Sequence, residues 1–229
     1  MALYQSELYH SLGLDLFLSS GSYKVCYILL PVRPEEDDML WYQEMASELG
    51  IHLVIVSGMD WNNQLTPWTA PSLRKRDSDF GGGAMAFLDE LSQDIFPYVE
   101  RKLGFGKRVW RSMVGVSLSG LFSVWSLYKS DLFNAMGSIS GSFWYDGFEE
   151  WIRKQDGISS GNIDKLIMLL GEKEKDSRNG RLAKVESASR AVYELLRPMT
   201  VKSELGLVEG THFSSLRPRM ERVLRFLGG

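Results

Sequence analysis

The sequence predicts an α/β fold, a mostly parallel sheet with helices on both faces, and three observations carry that prediction. Two near-continuous apolar runs of strand length, Tyr23 to Leu30 and Ile51 to Val56, read as strands covered on both faces. A helical pattern lies between them with short connections, which implies a right-handed parallel crossover. Farther on, the strand Arg108 to Val114 breaks directly into an apolar helix through Leu121, Val124, Trp125 and Tyr128. Strands alternate with helices along the whole length. With 229 residues, 44% of them apolar, the chain can bury one sizeable core, so residues 1–229 are read as one domain.

Residues 1 to 19 place Leu12, Leu14, Leu16 and Leu18 on one side of an extended segment. They read as one or two antiparallel edge strands ending at the turn Ser19-Ser20-Gly21-Ser22. Pro31 ends the run Y-K-V-C-Y-I-L-L. Beyond P-V-R-P-E-E-D-D, Leu40, Trp41, Met45 and Leu49 keep helical spacing, and Gly50 closes that helix. Asp60 to Phe80 is a long polar and aromatic loop, of a kind more often functional than idle in a compact domain. Gly81-Gly82-Gly83 opens a helix carrying Phe87, Leu88, Leu91, Ile95 and Phe96, with Pro97 kinking it or starting its final turn. No G-K-[ST] or G-x-G-x-x-G follows the glycines, which argues against a bound nucleotide. Phe133 to Ser140 and Leu166 to Leu170 read as strands on either side of an aromatic insertion, Gly141 to Gly161. A helix from about Leu182 to Leu196, a last strand Ser203 to Val208 and an amphipathic helix Leu216 to Leu227 complete the chain.

The stretch that concentrates the chemistry runs from Lys107 to Tyr128, and Ser117 is its centre. A strand that turns into a helix within a few residues needs small side chains, supplied here by Gly115, Ser119 and Gly120. Such a turn has the form of a nucleophile elbow, which holds a serine hydroxyl in a cleft at the end of a sheet. The unpaired N–H groups of the first helical turn, Leu118 first among them, would then face an oxyanion. By itself the turn is equally compatible with a plain strand-to-helix connection.

Composition narrows the function classes. A net charge of −3 without long blocks of one sign argues against nucleic acid or a polybasic membrane role. The single cysteine, Cys26, cannot form an internal disulfide and reads as a buried structural thiol. The opening residues lack the basic start and unbroken apolar core of a signal peptide, and no run reaches membrane-spanning length. A soluble cytoplasmic protein is expected.

A serine needs a base, and the chain offers three histidines. His52 opens a buried strand and reads as a structural histidine; His10 sits in the edge region. His212, in E-G-T-H-F after the last strand, is placed to swing over the carboxyl edge of the sheet, and it is the expected base. The acid should lie between serine and histidine in the chain, where Glu172, Glu174 and Asp176 follow a strand. Glu174 is the first choice and Asp176 the second. A second oxyanion donor is expected from the loop after the first parallel strand, where the prolines leave Val32 and Arg33 as N–H donors. Inward rotation of the Arg33 side chain would also offer a site for an anionic substrate group.

Several separated motifs resemble those of the putative esterase family of the α/β-hydrolase superfamily, which includes enterochelin and siderophore esterases, feruloyl esterases and S-formylglutathione hydrolases. They are L-T-P-W from Leu65, D-F-G-G-G-A-M-A-F-L-D-E-L from Asp79, G-V-S-L-S-G-L at the elbow, F-N-A-M-G-S-I-S-G-S-F-W-Y-D from Phe133, L-L-G-E-K-E, and E-G-T-H-F-S-S-L-R-P. The resemblance implies an α/β-hydrolase fold with no large lid domain. It also implies a serine carboxylesterase acting on small-molecule esters without metal or cofactor, with Ser117 as nucleophile, His212 as base and the acid near Glu174. Trp61, Trp68 and Trp144 would wall the substrate pocket, and a homodimer is compatible with it. Two departures stand out: P-V-R-P-E-E-D-D replaces a usual glycine-rich or Asp-Gly loop, and Ser119 replaces a usual glycine. Some siderophore-branch relatives work without a well-formed acid, so a Ser117–His212 dyad is a further expectation. The rival readings are an acyltransferase on the same scaffold and a non-catalytic binding module that kept the fold.

Overall fold

The computed structural model describes residues 3–106, 108–214 and 216–229. Lys107, which opens the elbow stretch, and Ser215 of E-G-T-H-F-S-S-L-R-P lie outside the described residues, as do Met1 and Ala2. Alternating apolar residues make the N-terminus a hairpin, β1 (Leu3–Tyr9) and β2 (Leu12–Leu18), paired antiparallel. The crossover follows as β3 (Lys24–Leu29), α1 (Glu36–Leu49) and β4 (His52–Ser57). Gly50 ends α1 at φ 63°, a conformation that glycine adopts without a side-chain clash.

The long loop carries one helical turn, α2 (Trp61–Gln64), and a two-stranded ribbon, β5 (Thr69–Ala70) with β6 (Phe80–Gly81). The helix after the glycine triplet is continuous in three parts: α3 (Ala84–Glu90), a π-helical turn (Leu91–Ile95) and α4 (Phe96–Lys102). Pro97 stands in the first turn of α4, where a missing N–H costs little. Then come β7 (Trp110–Val116), α5 (Leu118–Ser126), β8 (Ala135–Ile139), α6 (Phe148–Arg153) and β9 (Ile163–Gly171). The chain closes through α7 (Val185–Leu196), β10 (Thr200–Val208) and α8 (Arg217–Gly228).

Eight strands form one sheet in the order β1-β2-β4-β3-β7-β8-β9-β10. β2 meets β4 antiparallel, and every pairing from β4 to β10 is parallel. The near-continuous apolar runs are explained by two cores, one on each face. In β3, Val25, Tyr27 and Leu29 face the core under α3 to α7, whereas Cys26 and Ile28 face the core under α1 and α8. Complete burial of each aliphatic chain contributes about 1.5–3 kcal/mol, so a register slip would be costly in both layers at once. Most of the aromatic insertion belongs to this packing: Phe143, Tyr145 and Phe148 are buried in the first core.

The chain runs outward from β3 to β4 and then returns to add β7 on the other side of β3. This reversal of strand order opens a crevice at the carboxyl ends of β3 and β7, the usual ligand position in an open α/β sheet. Among the described residues no large lid covers it, and no helix is long and apolar enough to cross a membrane.

Candidate active site

Ser117 sits between β7 and α5 at φ 57° and ψ −118°. A non-glycine residue held at positive φ costs on the order of 1–3 kcal/mol and persists only where its surroundings fix it. Three main-chain hydrogen bonds do so: Ser117 N–H donates to Ile139 C=O (2.9 Å), and Ser117 C=O accepts from Leu121 N–H (3.1 Å) and Ser142 N–H (3.0 Å). Gly115 is required by the same turn, since a Cβ there would lie 2.0 Å from the Ser119 carbonyl oxygen. Ser119 is buried and its hydroxyl is used. It accepts from Val116 N–H (2.7 Å) and reaches the Leu29 carbonyl (2.8 Å), tying the elbow to the end of β3.

The loop after β10 brings His212 over the elbow, as the chain order predicts. His212 Nε2 lies 3.2 Å from Ser117 Oγ, and its Nδ1 lies 3.0 Å from Glu174 Oε2. The carboxylate fixes the tautomer by accepting the Nδ1 proton, which leaves the Nε2 lone pair for the Ser117 hydroxyl. Glu174 stands on a 3₁₀ turn just past β9 and is buried, whereas Asp176, two residues on, is exposed and lines the same cavity as His212 without bonding to it. The dyad expectation is therefore not what the geometry shows: a carboxylate is in place, and it is not a solvated one.

Glu174 is held from several sides. Its Oε1 accepts from Ser140 Oγ (2.6 Å) and Gly171 N–H (2.6 Å), with the Arg219 guanidinium at 3.4 Å. Burial pushes its pKa up, but the hydrogen bonds from His212, Ser140 and Gly171 outweigh burial and hold the carboxyl below its ordinary range. Arg219 is itself buried and also donates to Ser140 Oγ (3.0 Å) and Thr211 C=O (2.5 Å), joining the acid to the residue before the histidine. Sequence reasoning missed Ser140 and Arg219. A signal for the second existed: Arg219 shares its buried face with Met220, Val223, Leu224 and Leu227, so a charge stands on the apolar stripe of α8.

Around Ser117 and His212 the surface folds into two adjoining cavities of about 220 and 440 Å³ that share Trp144, Leu182, His212 and Phe213. The smaller holds Ser117, Leu118, Trp61 and Phe80. As the first residue of α5, Leu118 has an N–H with no intrahelical acceptor, as expected for an oxyanion donor. Of the three tryptophans named from the sequence, Trp61 and Trp144 line the cleft and Trp68 does not. Trp68 donates to Asp146 C=O (2.9 Å) and packs on Tyr145, Phe148 and Trp151 behind the wall.

The other oxyanion candidates, Val32 and Arg33, lie on the loop after β3. Val32 is exposed, and neither Val32 nor Arg33 lines the cavity that holds Ser117. Arg33 points to the N-terminal hairpin, where its Nε donates to Asp15 (3.1 Å) and its Nη2 to Tyr4 Oη (2.5 Å) and Ser6 Oγ (3.1 Å). The buried Asp15 carboxylate on β2 draws the guanidinium away from the cleft. His52 is the structural histidine expected, accepting from Ser19 N–H at Nδ1 (3.1 Å). Among the described residues no three His, Cys, Asp or Glu side chains are placed to share a metal ion.

The sequence profile described as Esterase, putative esterase, matches residues 35–216. The chain belongs to the putative esterase family. Its sheet and flanking helices form an α/β-hydrolase fold. A curated relative, an uncharacterized protein YbbA of Bacillus subtilis strain 168, is 29% identical over 149 residues; the match spans 63% of this chain and 59% of that protein, under two-thirds of its length. The siderophore hydrolase EstA of Aspergillus nidulans superposes with a TM-score of 0.74 at 18% identity, covering 99% of this chain and 94% of EstA. An IroE-like serine hydrolase from Shewanella oneidensis gives 0.71 at 18% identity, covering 100% and 78%. At such identities these two likenesses establish the fold.

Proposed function

We propose that this protein is a serine carboxylesterase that cleaves small-molecule esters through an acyl-enzyme on Ser117. The observation that carries the reading is the unbroken relay from Ser117 Oγ to His212 Nε2 (3.2 Å) and from His212 Nδ1 to Glu174 Oε2 (3.0 Å) at the sheet's switch point. Ser117 Oγ attacks the ester carbonyl carbon as its proton passes to His212 Nε2, forming a tetrahedral intermediate. The C–O bond to the alcohol then breaks, and the alcohol leaves with the proton from Nε2. Water attacks the acyl-enzyme with Nε2 again accepting the proton, and the acid is released as Oγ recovers its hydrogen. Glu174 stays ionised and stabilises the imidazolium that forms twice per cycle. The Leu118 N–H is the oxyanion donor this reading assigns.

Aromatic and aliphatic walls at Trp61, Phe80, Trp144, Leu182 and Phe213 favour esters with an apolar or aromatic group on one side of the carbonyl. The likeness to a siderophore hydrolase supports adding siderophore esters to a substrate panel. The deciding experiment is reaction with a fluorophosphonate probe, expected to label native protein at Ser117 and to be abolished by Ser117→Ala. A native protein that stays unlabelled, with its fold intact by circular dichroism, would overturn the proposal.

A further inference from the structure

We infer that Ser142 is a further catalytic residue, a hydrogen-bond donor to the oxygen of the Ser117 nucleophile. This rests on the esterase reading above. Ser142 Oγ lies 3.3 Å from Ser117 Oγ, and the distance alone leaves the direction of the bond open. The rest of the relay decides it. Ionised Glu174 accepts a hydrogen bond from His212 Nδ1–H, Nε2 is therefore an acceptor, and the one hydroxyl proton of Ser117 is directed to it. Ser117 Oγ can then only accept from Ser142, and the Ser142 hydroxyl points its proton at the reacting atom.

The hydroxyl is fully buried, and among the described residues its one side-chain partner is Ser117. Its position is fixed by main chain. Ser142 N–H donates to Ser117 C=O (3.0 Å), Ser142 C=O accepts from Tyr145 N–H (3.0 Å), and Gly141 has no space for a Cβ, which would come 2.5 Å from Ser138 Oγ. At 3.3 Å the bond is long for two hydroxyls and weak in the resting state. It strengthens when Ser117 Oγ carries negative charge, first as its proton passes to His212 and again as Oγ departs from the acyl group in deacylation. Only interactions that are stronger in the transition state accelerate the reaction, and this donor meets that condition in both halves of the cycle. No proton leaves Ser142. The serine of S-G-S-F-W is thereby given a role beside the tryptophan that walls the cleft.

The test is stopped-flow hydrolysis of p-nitrophenyl acetate by native, Ser142→Ala and Ser142→Cys proteins, with fluorophosphonate labelling rates measured alongside. The difference between a hydrogen bond to a neutral and to a charged oxygen predicts that Ser142→Ala lowers acylation, deacylation and labelling by about tenfold each, with KM little changed. Cysteine, a weak donor of similar shape, should fall between. Rates within twofold of native, or a change confined to KM, would overturn the assignment, because a residue that only shapes the pocket moves binding and not the nucleophile. If Ser142→Ala loses its near-ultraviolet dichroism, the cysteine variant carries the same two outcomes. Failure of the native protein to label would instead remove the esterase reading itself.

Discussion

Replacing Glu174 by glutamine changes one oxygen to an amide nitrogen and tests the relay at its buried end. Oε1 is contacted by three donors, Ser140 Oγ, Gly171 N–H and the Arg219 guanidinium, so the amide oxygen must take that position. The NH₂ group then faces His212 Nδ1, where a donor already stands, and the imidazole is driven to the tautomer that carries its proton on Nε2. That nitrogen can no longer accept from Ser117. In the general serine–histidine–acid template this wrong-tautomer change lowers kcat by about 10⁴, equivalent to about 5.4 kcal/mol at 1.36 kcal/mol per decade. Stability should fall too, because breaking a buried ion pair costs about 3–5 kcal/mol. Arg219 keeps Thr211 C=O and Ser140 Oγ as acceptors, which places the loss near the lower figure. At roughly 2–4 °C per kcal/mol for a chain of this size, that is a drop in Tm of about 6–12 °C. The folded Glu174 pKa lies below the unfolded one, so its contribution is complete above the ordinary carboxylate range and is lost as pH falls through the folded value; the glutamine variant lacks that part of the acid sensitivity. Steady-state kinetics and thermal melts from pH 4 to 8 measure both effects. A variant turning over within tenfold of native would refute the reasoning, since the carboxylate would then not be setting the tautomer.

His212→Ala should lower kcat by several orders of magnitude while leaving the melting curve close to native, because the imidazole is only partly buried and its bonds serve the site alone. Arg219→Met should cut kcat by up to about 100-fold, through displacement of the loop from Thr211 to His212, and lower Tm in the same preparation; activity assays paired with melts separate it from a surface change. Burial pushes the Cys26 thiol up to about 12, with Ser112 partly opposing, so the native protein should not react with a thiol reagent at pH 8 and should do so once unfolded in guanidinium. Burial holds the His52 pKa below its ordinary value, with the Ser22 carbonyl partly opposing. The unfolded chain therefore binds that proton first as pH falls, and stability declines from the ordinary histidine range down to the folded value. Melts of His52→Gln should show a smaller loss across that window.

Local pattern was enough for the frame of this molecule. Apolar runs of strand length, helical spacing at Leu40 to Leu49 and small residues at Gly115, Ser119 and Gly120 are properties of neighbours in the chain, and each corresponds to an observed element. His212 was also legible, because only three histidines exist and one of them follows the last strand. What the chain could not disclose was which distant polar groups meet. Glu174 and Asp176 are two residues apart and chemically alike, and only the packing of Ser140, Gly171 and Arg219 around one of them selects it. Arg33 looked free to face the cleft until β2 presented Asp15 to it, and Trp68 belongs to the buttress behind the wall it was expected to form. Periodicity records which side of an element is apolar. The partners of a buried charge come from several elements at once, and only the folded arrangement brings them together.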